Sequence, residues 1–144
     1  MNRFPALLML GVLMAAAPLA QSARAYKGRL SPVPVAAASP DITGVGAVTA
    51  TLTGTKLAIS GTFEGLASPA TVAKLHRAPK GLRGPAVFDL TITPGTSGKI
   101  NGSIDLSAAQ VEDLARERFY VQLHSEKAPD GNLWGWLMVQ ETKR

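Results

Sequence analysis

The sequence predicts an all-β fold, an antiparallel Greek-key β-sandwich of about seven or eight strands with one short helix. Short runs of alternating apolar and polar residues, bounded by glycine and proline at intervals of about ten residues, are typical of such sandwiches. Only one segment has helical spacing instead. The 144 residues include no cysteine, so disulfides and thiolate metal sites are excluded and packing alone must stabilise the fold.

Residues 1–25 have the organisation of a secretory signal peptide. Arg3 gives a positive start, residues 4–19 are almost wholly apolar, and Ala23-Arg24-Ala25 is a small-x-small cleavage site. The apolar run is shorter than the ~20 residues of a membrane-spanning helix, so we expect cleavage after Ala25 and no later transmembrane segment. The mature protein is then expected in the periplasm or outside a bacterial cell.

The remaining chain divides into an arm and one domain. Residues 26–43 are rich in proline and alanine, and Pro32, Pro34 and Pro40 disfavour strand pairing, so we expect an extended arm. Residues 44–144 have the length of a single β-sandwich domain, which excludes a second catalytic domain.

The charge of the predicted mature chain is mildly positive. The whole chain has 15 Lys and Arg against 10 Asp and Glu, and loss of Arg3 and Arg24 leaves 13 against 10, a net charge of +3. Nucleic-acid binders of this size usually carry a denser basic face with stacking aromatics, so nucleic acid is not an expected partner. One loop is basic through Lys74, Arg77, Lys80 and Arg83. We interpret it as a solvated loop, with docking to an acidic partner or an anionic membrane surface as the alternative.

The sequence pattern also predicts where the helix lies and which side chains form the core. Ser107 and Gln110 form a capping-box pattern, which predicts a helix over residues 108–118. The residues expected inside, from the runs 55–63, 86–92 and 99–106, are Leu57, Ile59, Phe63, Ala86, Phe88, Leu90, Ile92, Ile100, Ile104 and Leu106.

The last two predicted strands carry most of the large aromatic side chains on one face. If residues 119–124 and 133–139 pair as antiparallel strands, Tyr120 lies beside Trp136 or Met138, and His124 beside Trp134. Each indole or phenol brings about 150–250 Å² of surface, so these side chains, facing outward, would form a patch that needs a partner. We predict partner binding through Tyr120, Trp134, Trp136 and Met138. The alternative is that the arm covers this surface with Leu30, Val33 and Val35.

The order of several short motifs resembles the CHRD domain, a family common in secreted bacterial proteins. The pieces that carry the resemblance are Gly65-Leu66-Ala67-Ser68-Pro69-Ala70-Thr71, Leu75-His76, Gly84-Pro85-Ala86-Val87-Phe88, Leu106-Ser107-Ala108-Ala109-Gln110-Val111, Tyr120-Val121-Gln122-Leu123-His124 and Gly131-Asn132-Leu133-Trp134-Gly135. The resemblance covers about residues 44–139. The resemblance implies an extracytoplasmic β-sandwich, immunoglobulin-like or superoxide-dismutase-like, with no established catalytic chemistry. Members commonly have His-x-His where this chain has Lys74-Leu75-His76.

Two histidines are the candidate metal ligands. The alternation places the side chains of His76 and His124 on the outward faces of their strands. Two imidazoles are suitable ligands for copper or zinc. A third ligand would have to come from Glu64, Glu126 or Asp130, none of which has a diagnostic spacing. The alternative is that both imidazoles are hydrogen-bonded at strand ends.

Hydrolase chemistry is disfavoured by the placement of the serines. Ser125 adjoins His124, but neighbouring side chains on a strand point to opposite faces, and no Gly-x-Ser-x-Gly motif occurs. We therefore expect a non-catalytic, cofactor-free periplasmic or secreted protein-binding module. Its size also fits a small accessory subunit of a membrane-associated complex, for example a quinoprotein alcohol dehydrogenase. The alternative function is copper or zinc binding through His76 and His124.

Overall fold

The computed structural model describes residues 22–141, which contain nine strands and one helix. The elements are β1 Ala23–Pro32, β2 Val45–Thr53, β3 Lys56–Glu64, β4 Ala70–Arg77, β5 Ala86–Ile92, β6 Gly98–Asp105, α1 Ala108–Ala115, β7 Phe119–Ser125, β8 Ala128–Trp136 and β9 Met138–Val139. The helix begins as predicted, because Ser107 and Gln110 form both hydrogen bonds of the capping box. It ends at Ala115 rather than at residue 118. It is not long and apolar enough to cross a membrane, and no other helix occurs within residues 22–141.

The strands close into an antiparallel barrel, so the predicted open sandwich is wrong. Eight strands follow one another around the barrel in the order β2-β3-β6-β5-β4-β7-β8-β1, and β1 pairs again with β2. Two strands, β1 and β5, allow this closure because each pairs with two different neighbours along different parts of its length. Strand β5 pairs first with β4 and then with β6, while β1 pairs along its length with β2 and through Ser31 and Pro32 with β8.

Only the first part of the predicted arm, residues 26–32, is a strand. Residues 26–32 belong to β1, whose apolar residues Tyr26 and Leu30 are buried in the core. Pro32 is compatible with the strand because it is the last residue, where a missing amide hydrogen removes little of the ladder. The barrel therefore begins well before residue 44. The expected cleavage point after Ala25 lies within β1, and the rest of the predicted signal peptide, residues 1–21, lies outside the described residues.

The core fills the barrel with side chains from its strands and from α1. The predictions for Leu57, Ile59 and Phe63 are confirmed, as are those for Ile100, Ile104 and Leu106. Phe88, Leu90 and Ile92 are only partly buried against this core. Ala86 is exposed, because the register shifts between Leu75 and His76 and places Ala86 opposite the outward-facing His76.

Two glycines allow β1 to pass close to the end of β8. A methyl group on Gly28 would lie 2.6 Å from the carbonyl oxygen of Trp136, and one on Gly135 would lie 2.2 Å from that of Arg29. Both contacts are with backbone, which cannot move aside cheaply. Glycine at these positions is therefore a condition of barrel closure.

We expect Gly135→Ala to lower the free energy of unfolding by about 1–3 kcal/mol, because the new methyl group forces β1 and β8 apart. The matched control is Gly95→Ala, in the β5–β6 turn, where the nearest atom would lie at 3.1 Å. Urea unfolding measures both variants. Equal losses of stability would contradict the close approach of β1 and β8.

Candidate functional site

The outer face of β7 and β8 carries an aromatic cluster formed by Tyr120, Trp134 and Trp136. Tyr120 lies directly opposite Trp136, as predicted, but the residue opposite Trp134 is Gln122 rather than His124. The ring centroids are 4.5 Å apart for Tyr120 and Trp136, 4.7 Å for the two indoles and 5.5 Å for Tyr120 and Trp134. These separations are typical of packed aromatic pairs.

The aromatic cluster is covered and does not form an open surface. Tyr120 is 1% exposed and Trp134 8% exposed, while Trp136 is partly buried. Val33, from the segment after β1, and Ala78, from the segment after β4, pack against the rings. Met138 lies apart from the cluster on β9, opposite Lys27. Of the arm residues expected to cover this surface, only Val33 does so, because Leu30 lies in the barrel core and Val35 is exposed. The structure adds a second covering segment.

That second segment is the β4–β5 loop, residues 78–85, which is tied down by the polar edges of the cluster. The Tyr120 hydroxyl accepts a hydrogen bond from the Gly84 amide at 3.0 Å and donates one to the Gly84 carbonyl at 3.2 Å. The Trp136 indole donates to the Ala78 carbonyl at 2.9 Å. The cluster therefore supports the loop from beneath at both of its ends.

His76 completes the attachment of the loop. Its ring stacks on Tyr120 with centroids 4.8 Å apart, and its Nδ1 lies 2.8 Å from the Gly84 carbonyl oxygen. Because a carbonyl can only accept, Nδ1 carries the hydrogen and Nε2 carries the lone pair in the neutral ring. Nε2 is buried and has no hydrogen-bond partner among residues 22–141. Burial lowers the pKa of His76, and this outweighs the opposite effect of the Gly84 hydrogen bond.

Two residues of the predicted basic loop, Lys74 and Arg77, lie on β4 instead, and three of its four cations are paired with carboxylates. Lys74 pairs with Asp89 at 2.9 Å, Arg77 with Asp113 at 2.6 Å, and Lys80 with Glu117 at 3.4 Å. The Arg77 guanidinium makes two hydrogen bonds to Asp113 and lowers the pKa of that carboxyl.

Arg83 differs because its partners are the cluster and the segment after β1. Its Nη2 donates to the Pro34 carbonyl at 2.9 Å, and its guanidinium lies 5.8 Å from the centroid of Trp134. Arg83 thereby joins the two segments that cover the aromatic cluster.

The two candidate metal ligands are held separately. His76 lies opposite Tyr120, and His124 is four residues further along β7, a distance of roughly 13 Å along the strand. The Nδ1 of His124 lies 2.8 Å from the Pro129 carbonyl oxygen, and its Nε2 lies 3.3 Å from the Gln122 amide nitrogen. Within residues 22–141, no three histidine or acidic side chains are grouped so that they could hold a metal ion.

Ser125 belongs to a buried structural network. Its hydroxyl donates to the Asn132 side chain at 2.8 Å, and the Asn132 amide donates in turn to the Thr43 carbonyl at 2.8 Å. Ser125 is fully buried, on the opposite face of β7 from His124, as its adjacency predicts.

The roles of two residues were not predicted: Leu82, and Gly84, which the sequence identified only as part of a family motif. Gly84 is the backbone partner of both Tyr120 and His76, and Leu82 is the most exposed large apolar side chain among residues 22–141. The available signal was a single leucine in a basic loop, between Gly81 and Gly84.

We expect Tyr120→Phe to lower the free energy of unfolding by about 1–3 kcal/mol, because the Gly84 amide loses its acceptor. The matched control is Tyr26→Phe. The Tyr26 hydroxyl is buried without a partner in the described part of the chain, so its removal is expected to be neutral or stabilising. Urea unfolding followed by tryptophan fluorescence measures both. An equal loss in the two variants would show that the Gly84 contacts contribute nothing.

Comparison with known proteins gives one match. The family model of the CHRD domain matches residues 27–137, and no curated protein and no solved structure matches the chain. The match begins within β1 and ends just after β8, so it includes the eight strands of the barrel, α1, the aromatic cluster and the β4–β5 loop. By this match over most of its length, the chain belongs to the CHRD domain family.

Proposed function

We propose that this protein is a non-catalytic, extracytoplasmic protein-binding module that docks onto its partner through an apolar ridge formed by Leu82 and Val35. The partner is a protein with an apolar pocket, and the module acts as a small accessory subunit. Export is proposed from the signal-peptide pattern of residues 1–25. The observation that carries the docking proposal is the exposure of Leu82 on a fixed loop.

The docking ridge concentrates exposed apolar surface. Leu82 is 58% exposed and Val35 is 47% exposed, and only two other large apolar side chains among residues 22–141 are exposed. The ridge residues flank the two groups joined by the hydrogen bond from Arg83 to the Pro34 carbonyl. Singly exposed apolar residues are ordinary on protein surfaces, and the proposal rests on two of them lying on segments that Arg83 joins.

The loop that carries Leu82 is fixed before any partner binds. Its base is closed by hydrogen bonds from the Arg77 amide to the Pro85 carbonyl at 3.0 Å and from the Ala78 amide to the Arg118 carbonyl at 2.9 Å. Its tip turns at Gly81, whose φ of 79° is a conformation that favours glycine, and the Leu82 amide donates to the Pro79 carbonyl at 3.1 Å. Binding through Leu82 would therefore cost little ordering of the loop.

The charges around the docking ridge favour an apolar contact over an electrostatic one. Arg77, at the end of β4, and Lys80, within the loop, already pair with Asp113 and Glu117. An acidic partner would have to compete with these carboxylates. Burying Leu82 and Val35 requires no such exchange, so we assign the affinity to the ridge.

The experiment is crosslinking followed by reconstitution. A photo-crosslinking amino acid at position 82 and one at position 35 are expected to capture the same protein from native extracytoplasmic extract. The same amino acid at position 45 is not expected to capture that protein. With that protein purified, Leu82→Asp is expected to weaken binding at least about tenfold, because an aspartate cannot enter an apolar pocket.

The matched control is Val45→Asp. Val45 is 45% exposed, close to the value for Val35, but it lies at the start of β2. We expect the affinity of the Val45→Asp variant for the partner to stay within about twofold of the parent, since Val45 is not part of the ridge. If Leu82→Asp binds as tightly as the parent, or if Val45→Asp weakens binding equally, the ridge is not the docking surface.

A further inference from the structure

We propose that His76 is a pH-dependent latch for the docking loop. Its neutral ring holds the β4–β5 loop closed, and protonation of Nε2 by solvent opens the loop and withdraws Leu82 from the docking ridge. The consequence for binding rests on the proposed function; the opening of the loop does not.

The closed loop accommodates only the neutral ring. Nδ1 donates its hydrogen to the Gly84 carbonyl, so a second proton must be placed on Nε2. Nε2 is buried with no acceptor within residues 22–141, so the new N–H would be an unsatisfied donor on a charged ring. Such a group is expensive in a protein interior. Opening the loop would bring water to the ring and remove that cost.

The charged groups around the ring oppose protonation further. Lys74 lies on the same strand and His124 on β7, and a positive charge on either lowers the pKa of His76. On β5, the carboxylate of Asp89 is largely exposed and is paired with Lys74. The third neighbour, Tyr120, is neutral and its hydroxyl is engaged by Gly84.

The sign of the pH dependence follows from the lowered pKa. When the loop is open, His76 takes up a proton near its ordinary pKa of about 6.5, whereas in the closed loop it does so only at lower pH. The open form therefore binds more protons as the pH falls below about 6.5, and it gains population by up to about tenfold for each pH unit. The gain stops once the closed form is also protonated.

The chain offers a direct optical test that needs no partner. Its only two tryptophans, Trp134 and Trp136, both lie beneath the loop and its neighbouring segment. We expect their emission to shift to the red as the pH falls from about 8 to about 5, because opening hydrates the indoles. Hydrogen exchange of the Gly84 amide, corrected for the intrinsic rate at each pH, is expected to accelerate over the same range.

Two substitutions assign the transition, since the chain has only two histidines. His76→Asn keeps an N–H donor for the Gly84 carbonyl but cannot titrate, so we expect it to abolish both pH-dependent signals. His124→Asn is the matched control and should retain them. A transition that persists in His76→Asn, or that disappears only in His124→Asn, would overturn the proposal.

A third variant covers the case in which His76→Asn fails to fold. Lys74→Gln removes a cation that lowers the pKa of His76 in the closed loop, so the closed and open forms differ less in proton uptake and opening should shift to lower pH. An unchanged midpoint, or no transition in the parent, counts against the latch. If the loop opens in acid but the Leu82→Asp variant binds the partner as tightly as the parent, the latch is retained and the proposed docking surface is refuted.

Discussion

The two hydrogen bonds between the Tyr120 hydroxyl and the backbone of Gly84 are the contacts on which the outer layer of this protein depends. They anchor the β4–β5 loop at one end, and the Trp136 indole anchors it at the other. The barrel thus has a small second core on its outside, made of rings whose polar atoms face a loop. Rings with a polar edge are suited to this, because they can be buried and still hold a backbone segment.

This layer explains why the rings of the aromatic cluster are buried and why three of the basic residues are paired within the chain. The rings support the loop. Arg77, at the base of the loop, and Lys80, within it, are held by Asp113 and Glu117. What the loop then presents to solvent is Leu82. In the proposed function, Leu82 contacts the partner and the aromatic residues form the platform that supports its loop.

Local signals predicted local structure well. Alternation placed Leu57 and Ile100 in the core, and the capping box of Ser107 placed the start of α1, because each pattern involves residues close in sequence. The register of Tyr120 against Trp136 also followed from one hairpin.

Non-local features were beyond the sequence. The closure of the barrel depends on β1 meeting β8, and the need for glycine at Gly135 appears only when both strands are in place. The burial of Trp134 depends on loop residues whose basic, glycine-rich composition suggested solvent exposure. The same composition concealed Gly84 as a hydrogen-bonding partner.

The pairing of β1 with β8 and β9 joins the two ends of the described chain, with Ser31 opposite Trp134 and Tyr26 opposite Val139. When only the first hundred residues have been synthesised, β7, β8 and β9 are missing and the barrel cannot close. Contacts so distant in sequence form slowly. The barrel can therefore take its final shape only after the segment that contains β8 and β9 has been synthesised.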